Sequence, residues 1–167
     1  MISNLEVQMG IKQVKELAFM MDESAFRIDM HFKMNIQTEL SFDFASDDLF
    51  FQIAVTFLND EHRNIARIEV MNNFVIQNLR QFHVSNSSEK IEIPEDLLTT
   101  IFSISFSHAR ALMSNHLNGT AIQSLMIPVI SPKAVLKTLK IQGIDLTKSK
   151  KKVSSPQKRG RKKKTKV

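Results

Sequence analysis

The chain has no cysteine, no tryptophan and no tyrosine among its 167 residues, and it has only 4 glycines. Without cysteine, the protein can form no disulfide, thiol nucleophile or cysteine-ligated zinc site. With so few glycines, it has no glycine-rich loop of the kind that binds phosphates. Its aromatic residues are 12 phenylalanines, which together with 9 methionines supply large and adaptable apolar side chains.

Long apolar runs are also missing. No segment approaches the roughly 18 apolar residues of a membrane-spanning helix, and the first nine residues lack the basic start and apolar run of a signal peptide. We therefore expect a cytoplasmic protein with no membrane span.

Catalytic patterns are absent as well. No two of the 5 histidines stand four residues apart with a glutamate between them, as in metalloproteases. No Gly-x-Ser-x-Gly elbow of the serine hydrolases occurs. The acid pairs at Asp47-Asp48 and Glu95-Asp96 are explained by a turn and by a helix start. The sequence thus predicts a protein that is not an enzyme and uses neither metal nor cofactor.

Charge divides the chain into two parts. Residues 148–167 contain 11 lysines and arginines and no acid, so residues 1–147 hold the other 12 basic residues and all 17 acids. The first part therefore has a formal charge of −5 and the second of +11, although the net charge is only +6. The basic segment has no apolar periodicity and cannot bury enough surface to fold. We expect a folded domain over 1–147 and a disordered basic tail over 148–167.

Period-two alternation over Phe26–Ile36 is the clearest pattern in the first half of the chain. Apolar residues alternate with polar ones there, and the same phase resumes at Leu40, as expected of strands with one dry face. One long strand, or two strands joined by a bend near Thr38, would account for it.

Three further strands are predicted. Two of them, Leu49–Leu58 and Ile65–Ile76, flank a polar hairpin loop, and a weaker one precedes them over Ile11–Met21. At Asn72-Asn73 we expect a bulge or bend that shifts the phase of the apolar residues.

Helices follow the strands. Pro94 and two acids start a long apolar-periodic segment that Gly119 ends. Phe102–Phe106 also alternates like a strand, but the flanking caps and the length favour a helix. A second, shorter helix starts at Ser131-Pro132, ends at Gly143 and has Val135, Leu136 and Leu139 on one side. Strands followed by helices predict an α+β fold: a four-stranded antiparallel sheet with one long and one short helix packed on one face.

Several short motifs, in this order, resemble the SecB family of protein-export chaperones. They are Lys15–Phe19, Ile68–Val70, Phe106–Arg110, Asn118–Thr120 and Ile127–Val129, and the resemblance covers roughly residues 7–140. It implies a homotetramer, built as a dimer of dimers, that holds unfolded or precursor polypeptides in exposed apolar grooves without any cofactor. Relatives pass precursors to the translocase motor ATPase or guard the antitoxin of a toxin–antitoxin system.

The resemblance and the apolar pattern together suggest site residues. Candidates for client binding, chosen because exposed apolar and methionine-rich surfaces suit varied partners, are Phe26, Ile28, Met30, Phe32, Val135, Leu136 and Leu139. The resemblance implies translocase contacts at Glu16 and Glu69. Arg67 and Met20 depart from the family pattern, and so does the basic tail. For any one client-binding candidate, the alternative is an ordinary core residue.

The basic tail suggests a different partner. Its Arg-Gly-Arg core resembles the minor-groove AT-hook without the flanking prolines. Eleven cations will also bind other polyanions, such as RNA or the ribosome. The candidate residues are Lys158, Arg159, Arg161, Lys162, Lys163 and Lys164. Three functions therefore stay open: a chaperone for export clients, a guardian of an antitoxin, and a protein that associates with nucleic acid through its tail. A tail that only improves solubility is the plain alternative.

Overall fold

The computed structural model describes residues 8–82 and 93–138. Four strands come first, and two helices follow. The strands are β1 (Met9–Met21), β2 (Lys33–Asp43), β3 (Asp48–Leu58) and β4 (Asn64–Ile76), and the helices are α1 (Glu95–Leu117) and α2 (Pro132–Thr138). The predicted α+β architecture, a four-stranded antiparallel sheet followed by one long and one short helix, is confirmed.

The strands lie in the order β1-β4-β3-β2, and all neighbours are antiparallel. β3 and β4, the most apolar strands, occupy the centre, while β1 and β2 form the two edges. The connection from β1 to β2 must therefore cross the whole sheet. It does so at the end where β3 turns into β4, because the amide of Asp22 donates to the carbonyl of Ile65 and the side chain of Asn59 donates to the carbonyl of Ala25.

One face of the sheet packs against α1 to form the core. Alternate residues of β3 and β4 on this face are buried, as period two requires. The aromatic ring of Phe51 meets Phe102 of α1 edge to face at 6.3 Å, and Phe102 stacks on Phe106 at 5.7 Å. These rings fix the helix over the centre of the sheet.

The segment with competing helix and strand signals is helical, as predicted. Two of its interleaved serines are tolerated because their hydroxyls donate to carbonyls one turn back, from Ser103 to Thr99 and from Ser107 to Ser103. The third, Ser105, is buried and its hydroxyl has no hydrogen-bond partner among the described residues. The helix ends before Gly119, whose φ of 78° is a left-handed conformation that favours glycine.

The predicted strand over Phe26–Ile36 is wrong in its first half, since β2 begins only at Lys33. Residues 22–32 form the crossing between the two edges of the sheet and include a short 3-10 turn, Glu23–Ala25. The alternation of Phe26–Phe32 is real in the sequence, but none of the strands in the described part of the chain pairs with these residues.

The predicted phase shift in β4 is also wrong. Asn72 continues the buried row of Val70 and Phe74, and its pairing with β3 is regular. The irregularities lie on the neighbouring β1, where Lys12 and Leu17 are extra residues in its pairing with β4. An asparagine thus occupies a core position.

His108 of α1 satisfies this buried asparagine. Its Nδ1 donates to Oδ1 of Asn72 at 2.6 Å, and the Asn72 amide nitrogen lies 3.5 Å from the carbonyl oxygen of Phe51. We expect His108→Ala to lower the free energy of unfolding by about 1–3 kcal/mol, because the buried amide oxygen loses its partner. Urea unfolding of the full chain measures this.

The matched control replaces both partners, as Asn72→Leu with His108→Leu. It should be less destabilised than His108→Ala, because no buried polar atom is left without a partner. Equal losses in the two variants would show that the hydrogen bond contributes nothing.

Lys12, one of the two extra residues in β1, forms an ion pair with a central strand. Lys12 reaches over the sheet to the buried Asp48 at the start of β3, and its Nζ lies 2.7 Å from Oδ2. This hydrogen bond holds the pKa of Asp48 below its ordinary value. The pair ties the edge strand to a central strand.

Stability should therefore depend on pH in the acid range. The lowered pKa means that the unfolded chain takes up the Asp48 proton more readily than the folded one. The stabilisation is present above the unfolded value of about 3.9 and is lost as the pH falls through the lowered folded value. Lys12→Met should lower the free energy of unfolding at neutral pH and flatten its decline between about pH 5 and pH 2, as measured by urea unfolding.

Part of that decline should remain in the variant, because a hydrogen bond from Ser24 lowers the pKa of Asp22 and one from the Ala45 amide lowers that of Asp43. Lys15→Met, which changes a lysine of the same strand, is the matched control. A pH profile of Lys12→Met that matches the control would contradict the assignment.

Candidate functional site

The loop between β1 and β2 exposes apolar side chains at the hairpin end of the sheet. Ile28 is 91% exposed, the largest value among the exposed large hydrophobic residues of the described chain, and Phe32 is 47% exposed. A side chain such as that of Ile28 gains about 1.5–3 kcal/mol when it is fully buried. An exposed apolar cluster is therefore typical of a surface that another molecule covers.

The other two loop candidates support these side chains. Phe26 and Met30 are half-buried and pack against the core. The backbone turns tightly between them, with the Met30 amide donating to the carbonyl of Arg27 and the Arg27 amide donating to Sδ of Met30 at 3.1 Å. Phe32 meets Phe57 edge to face at 5.5 Å. The loop is thus anchored at both ends while Ile28 points into solvent.

A row of apolar residues on β2 continues this surface and is not among the client-binding residues predicted from the sequence. Met34, Ile36 and Phe42 lie on the core side of the sheet but are only half-buried. The reason is that α1 packs against β3 and β4, leaving the β2 edge less covered. Period two marks these residues as inward-facing, but the sequence does not say which strand is at the edge.

The candidates from the last helix have different environments. Leu136 is buried and belongs to the core, whereas Val135 is half-buried. Leu139 lies outside the described residues. α2 packs against α1, and Lys133 lies 3.6 Å from Asp96 in the first turn of α1. Of the two described candidates, Val135 is the more accessible.

The two halves of the predicted client surface lie near opposite ends of α1. α2 lies beside the first turn of α1. At the other end, the amide of Ala121, just beyond the last turn of α1, donates to the carboxylate of Glu23 in the loop between β1 and β2. A helix of 23 residues is about 34 Å long. A single extended segment would need about ten residues to touch both halves.

Glu16 and Glu69, the predicted translocase contacts, do not share a surface. Glu16 pairs with Val70, so it lies on the core side of the sheet, whereas Glu69 lies on the opposite side. Each is already paired: Glu16 with His116 at 2.8 Å, and Glu69 with Arg67 at 3.1 Å and with Gln52. Arg67, which departs from the family pattern, therefore forms an ion pair with Glu69, the candidate acid.

Arg110, part of the Ala-Arg motif, holds the segment that follows α1. Its Nε donates to the carbonyl of Ile127 at 3.1 Å. An open depression of about 320 Å³ lies beside this contact, and Met126 on its rim is largely exposed. The depression is shallow and suits a side chain of a larger partner better than an enclosed small molecule.

The described part of the chain has neither a cluster of metal-binding side chains nor a helix that could span a membrane. Within residues 8–82 and 93–138, no three histidine, aspartate or glutamate side chains are grouped so that they could hold a metal ion. No helix in those ranges has the length and apolar character needed to cross a membrane. The tail candidates, from Lys158 to Lys164, lie outside the described residues.

Comparisons with known proteins concern the fold. The sequence matches no protein-family model and none of the curated proteins. Among solved structures, it is similar to the Rv1957 SecB-like chaperone of Mycobacterium tuberculosis, solved with a ChAD peptide from the Rv1956 HigA1 antitoxin. The identity is 13%, the match covers 73% of this chain and 90% of that one, and the TM-score is 0.49.

A second similar structure is a protein of unknown function from Streptococcus agalactiae. It is 11% identical, the match covers 74% of this chain and 98% of that one, and the TM-score is 0.41.

Proposed function

We propose that the protein is a chaperone that binds unfolded polypeptides through exposed apolar surface and keeps them from aggregating. The observation that carries this proposal is the loop with Ile28, whose side chain is 91% exposed on an otherwise anchored backbone. The half-buried row on β2 extends the apolar surface. The SecB-like motifs of the sequence support the same function.

The surface suits unfolded clients for a physical reason. An unfolded chain presents scattered apolar side chains on extended backbone, and it needs a partner that adapts to many sequences. Phenylalanine and methionine provide such adaptable contacts. Binding of this kind needs no catalytic group and no nucleotide, so adding ATP should leave it unchanged.

The direct test is an aggregation assay with the full chain. A guanidinium-unfolded model protein is diluted into buffer with or without the chaperone, and light scattering is followed. We expect scattering to fall in proportion to added chain and to reach a minimum at a fixed ratio of chain to client. Unchanged scattering at a tenfold molar excess would contradict the proposal.

Two client classes are compatible with this surface: precursors awaiting export and a labile antitoxin. Hand-over to the translocase motor ATPase receives no support from Glu16 and Glu69, because they lie on opposite faces and are both paired. Binding of purified motor ATPase to the chaperone, measured near neutral pH, discriminates between the two classes. Saturable binding that is lost in Glu69→Gln would favour the export role.

The basic tail favours a second candidate function, association with nucleic acid. Its 11 cations bind phosphates without regard to sequence, and the affinity should fall steeply with salt. Replacing Lys158, Arg159, Arg161 and Lys162–Lys164 by glutamine in the full chain should weaken binding to duplex DNA or RNA and lower the salt slope. Client holding should persist in this variant, and its loss would mean that the two functions are not separate.

A further inference from the structure

Asn118 is the only asparagine in the sequence that is followed by a glycine. It stands directly after the last residue of α1, where its backbone amide donates to the carbonyl of Ser114. The residue is exposed, and its side-chain amide has no hydrogen-bond partner in the described part of the chain. Asn118 therefore has a freedom that the buried Asn72, bonded to His108, lacks.

The peptide nitrogen that follows Asn118 is free as well. Gly119 has a φ of 78°, and its N–H has no hydrogen-bond partner among the described residues. The amides on either side of it are held, that of Asn118 by Ser114 and that of Thr120 by Leu117. A Cβ at Gly119 would meet nothing within 4 Å. Because glycine rotates without steric cost in such open space, its nitrogen can approach the side chain of Asn118.

A polar surface surrounds this turn. An open depression of about 280 Å³ is lined by hydroxyl and amide side chains, those of Ser114, Asn115, Asn118, Gln123 and Ser124. Groups of this kind bind water readily, so solvent has access to Asn118. The site thus combines an unbound side-chain amide, an unbound peptide nitrogen and a supply of water.

We propose that Asn118 is a site of spontaneous deamidation, at which its side-chain amide becomes a carboxylate. A base from solvent removes the Gly119 amide proton, and the nitrogen attacks Cγ of Asn118. The N–Cγ bond that forms closes a cyclic imide, while the Cγ–Nδ2 bond breaks and ammonia leaves with a proton from water. Water then opens the imide at either carbonyl and gives aspartate or isoaspartate. One water is consumed and one ammonia is released, and nothing is oxidised or reduced.

The product places a negative charge at the C-terminal end of α1. The last carbonyls of a helix carry partial negative charge, so a carboxylate is unfavourable there. Close by, the amide of Ala121 donates to the carboxylate of Glu23 at 3.4 Å. A carboxylate at position 118 repels that of Glu23, and isoaspartate also lengthens the backbone of the turn. Deamidation should therefore loosen the loop between β1 and β2, which carries Ile28.

The first test follows the reaction in the full chain by mass spectrometry. Trypsin releases residues 111–133 as one peptide, which contains both Asn115 and Asn118. Asn115 lines the same depression but lies within α1, so it is the matched internal control. At mildly alkaline pH we expect Asn118 to lose its amide over days, at a rate close to that of the guanidinium-unfolded chain. Asn115 should keep its amide in the folded chain.

Two results of this experiment would overturn the site. One is an Asn118 amide that survives in the folded chain while the unfolded chain loses it, because the fold would then protect the residue. The other is equal loss at Asn115 and Asn118, because the free peptide nitrogen would then be irrelevant.

Variants test the chemical route. Gly119→Ala keeps Asn118 but adds a methyl group beside the attacking nitrogen, so the rate should fall about tenfold, equivalent to about 1.4 kcal/mol in activation free energy. Asn118→Gln should keep its amide, because the larger imide ring closes slowly. An isoaspartyl methyltransferase should label the aged wild-type chain but not aged Asn118→Gln. An undiminished rate in Gly119→Ala would overturn the imide route.

The effect on the loop is tested without ageing. Asn118→Asp installs the product charge, and Asn115→Asp places the same charge one turn earlier. Trypsin cleavage after Arg27, an exposed residue of the loop, reports its opening. Asn118→Asp should be cut severalfold faster than wild type, and adding Glu23→Gln should restore slow cleavage. Unchanged cleavage, or equal acceleration by Asn115→Asp, would overturn the coupling. No client enters these tests, so they do not depend on the proposed function.

Discussion

Phe102→Ala should lower the free energy of unfolding by about 3–5 kcal/mol, the range found when a large core aromatic is truncated. Phe102 is fully buried near the middle of α1, where its ring contacts both Phe51 of β3 and Phe106 of the next turn. Truncation leaves a cavity between helix and sheet that these neighbours cannot refill without breaking their own contacts.

Urea unfolding of the full chain, followed by circular dichroism, measures this loss as a lower midpoint. Ser114→Ala on the exposed side of the same helix is the matched control and should stay within about 0.5 kcal/mol of wild type. Phe102→Leu should fall between the two variants. A loss below about 1 kcal/mol for Phe102→Ala would mean that α1 is not packed on the sheet as described.

Replacing both exposed loop residues, as Ile28→Ser with Phe32→Ser, should weaken client binding about hundredfold without unfolding the protein. Burial of one large apolar side chain contributes about 1.5–3 kcal/mol, and each 1.4 kcal/mol is a factor of about ten in affinity. Because Ile28 is mostly in solvent in the free protein, removing it should cost the fold little.

The affinity is measured by fluorescence anisotropy with a labelled, permanently unfolded client peptide. Val75→Ser, an exposed apolar position on β4 away from the loop, is the control and should bind like wild type. A double variant that keeps wild-type affinity while its unfolding curve is unchanged would remove the loop from the site. If the unfolding midpoint falls instead, Ile28→Ser alone repeats the test with the Phe32–Phe57 contact intact.

The parts of the fold that the sequence predicts well are those decided by local chemistry. The start and end of α1 follow from the acids after Pro94 and from Gly119, which is needed for a left-handed turn. β3 and β4 carry period-two rows of large apolar residues over most of their length. In each case, the residues that determine the local structure are close together in the sequence.

The parts that it misses depend on residues far apart in the chain. Phe26–Phe32 alternates like a strand, but only the sheet order shows that it crosses between the edges. Asn72 is a core residue because His108 supplies its partner from another element. The same limit applies to the candidate site, where Leu136 belongs to the core and Glu16 and Glu69 fall on opposite faces.

The strand order also has a consequence for how the chain folds. β3 and β4 are joined by a short hairpin and can pair as soon as both exist, and β2 can add to β3 through another tight turn. β1 is synthesised before the other three strands, but its neighbour among the described residues is β4, so Met21 has to pair with Ala66 and Met9 with Ile76. Closing such a long loop costs entropy before any contact forms. During synthesis, β1 therefore stays unpaired until β4, the last of the four strands, has left the ribosome.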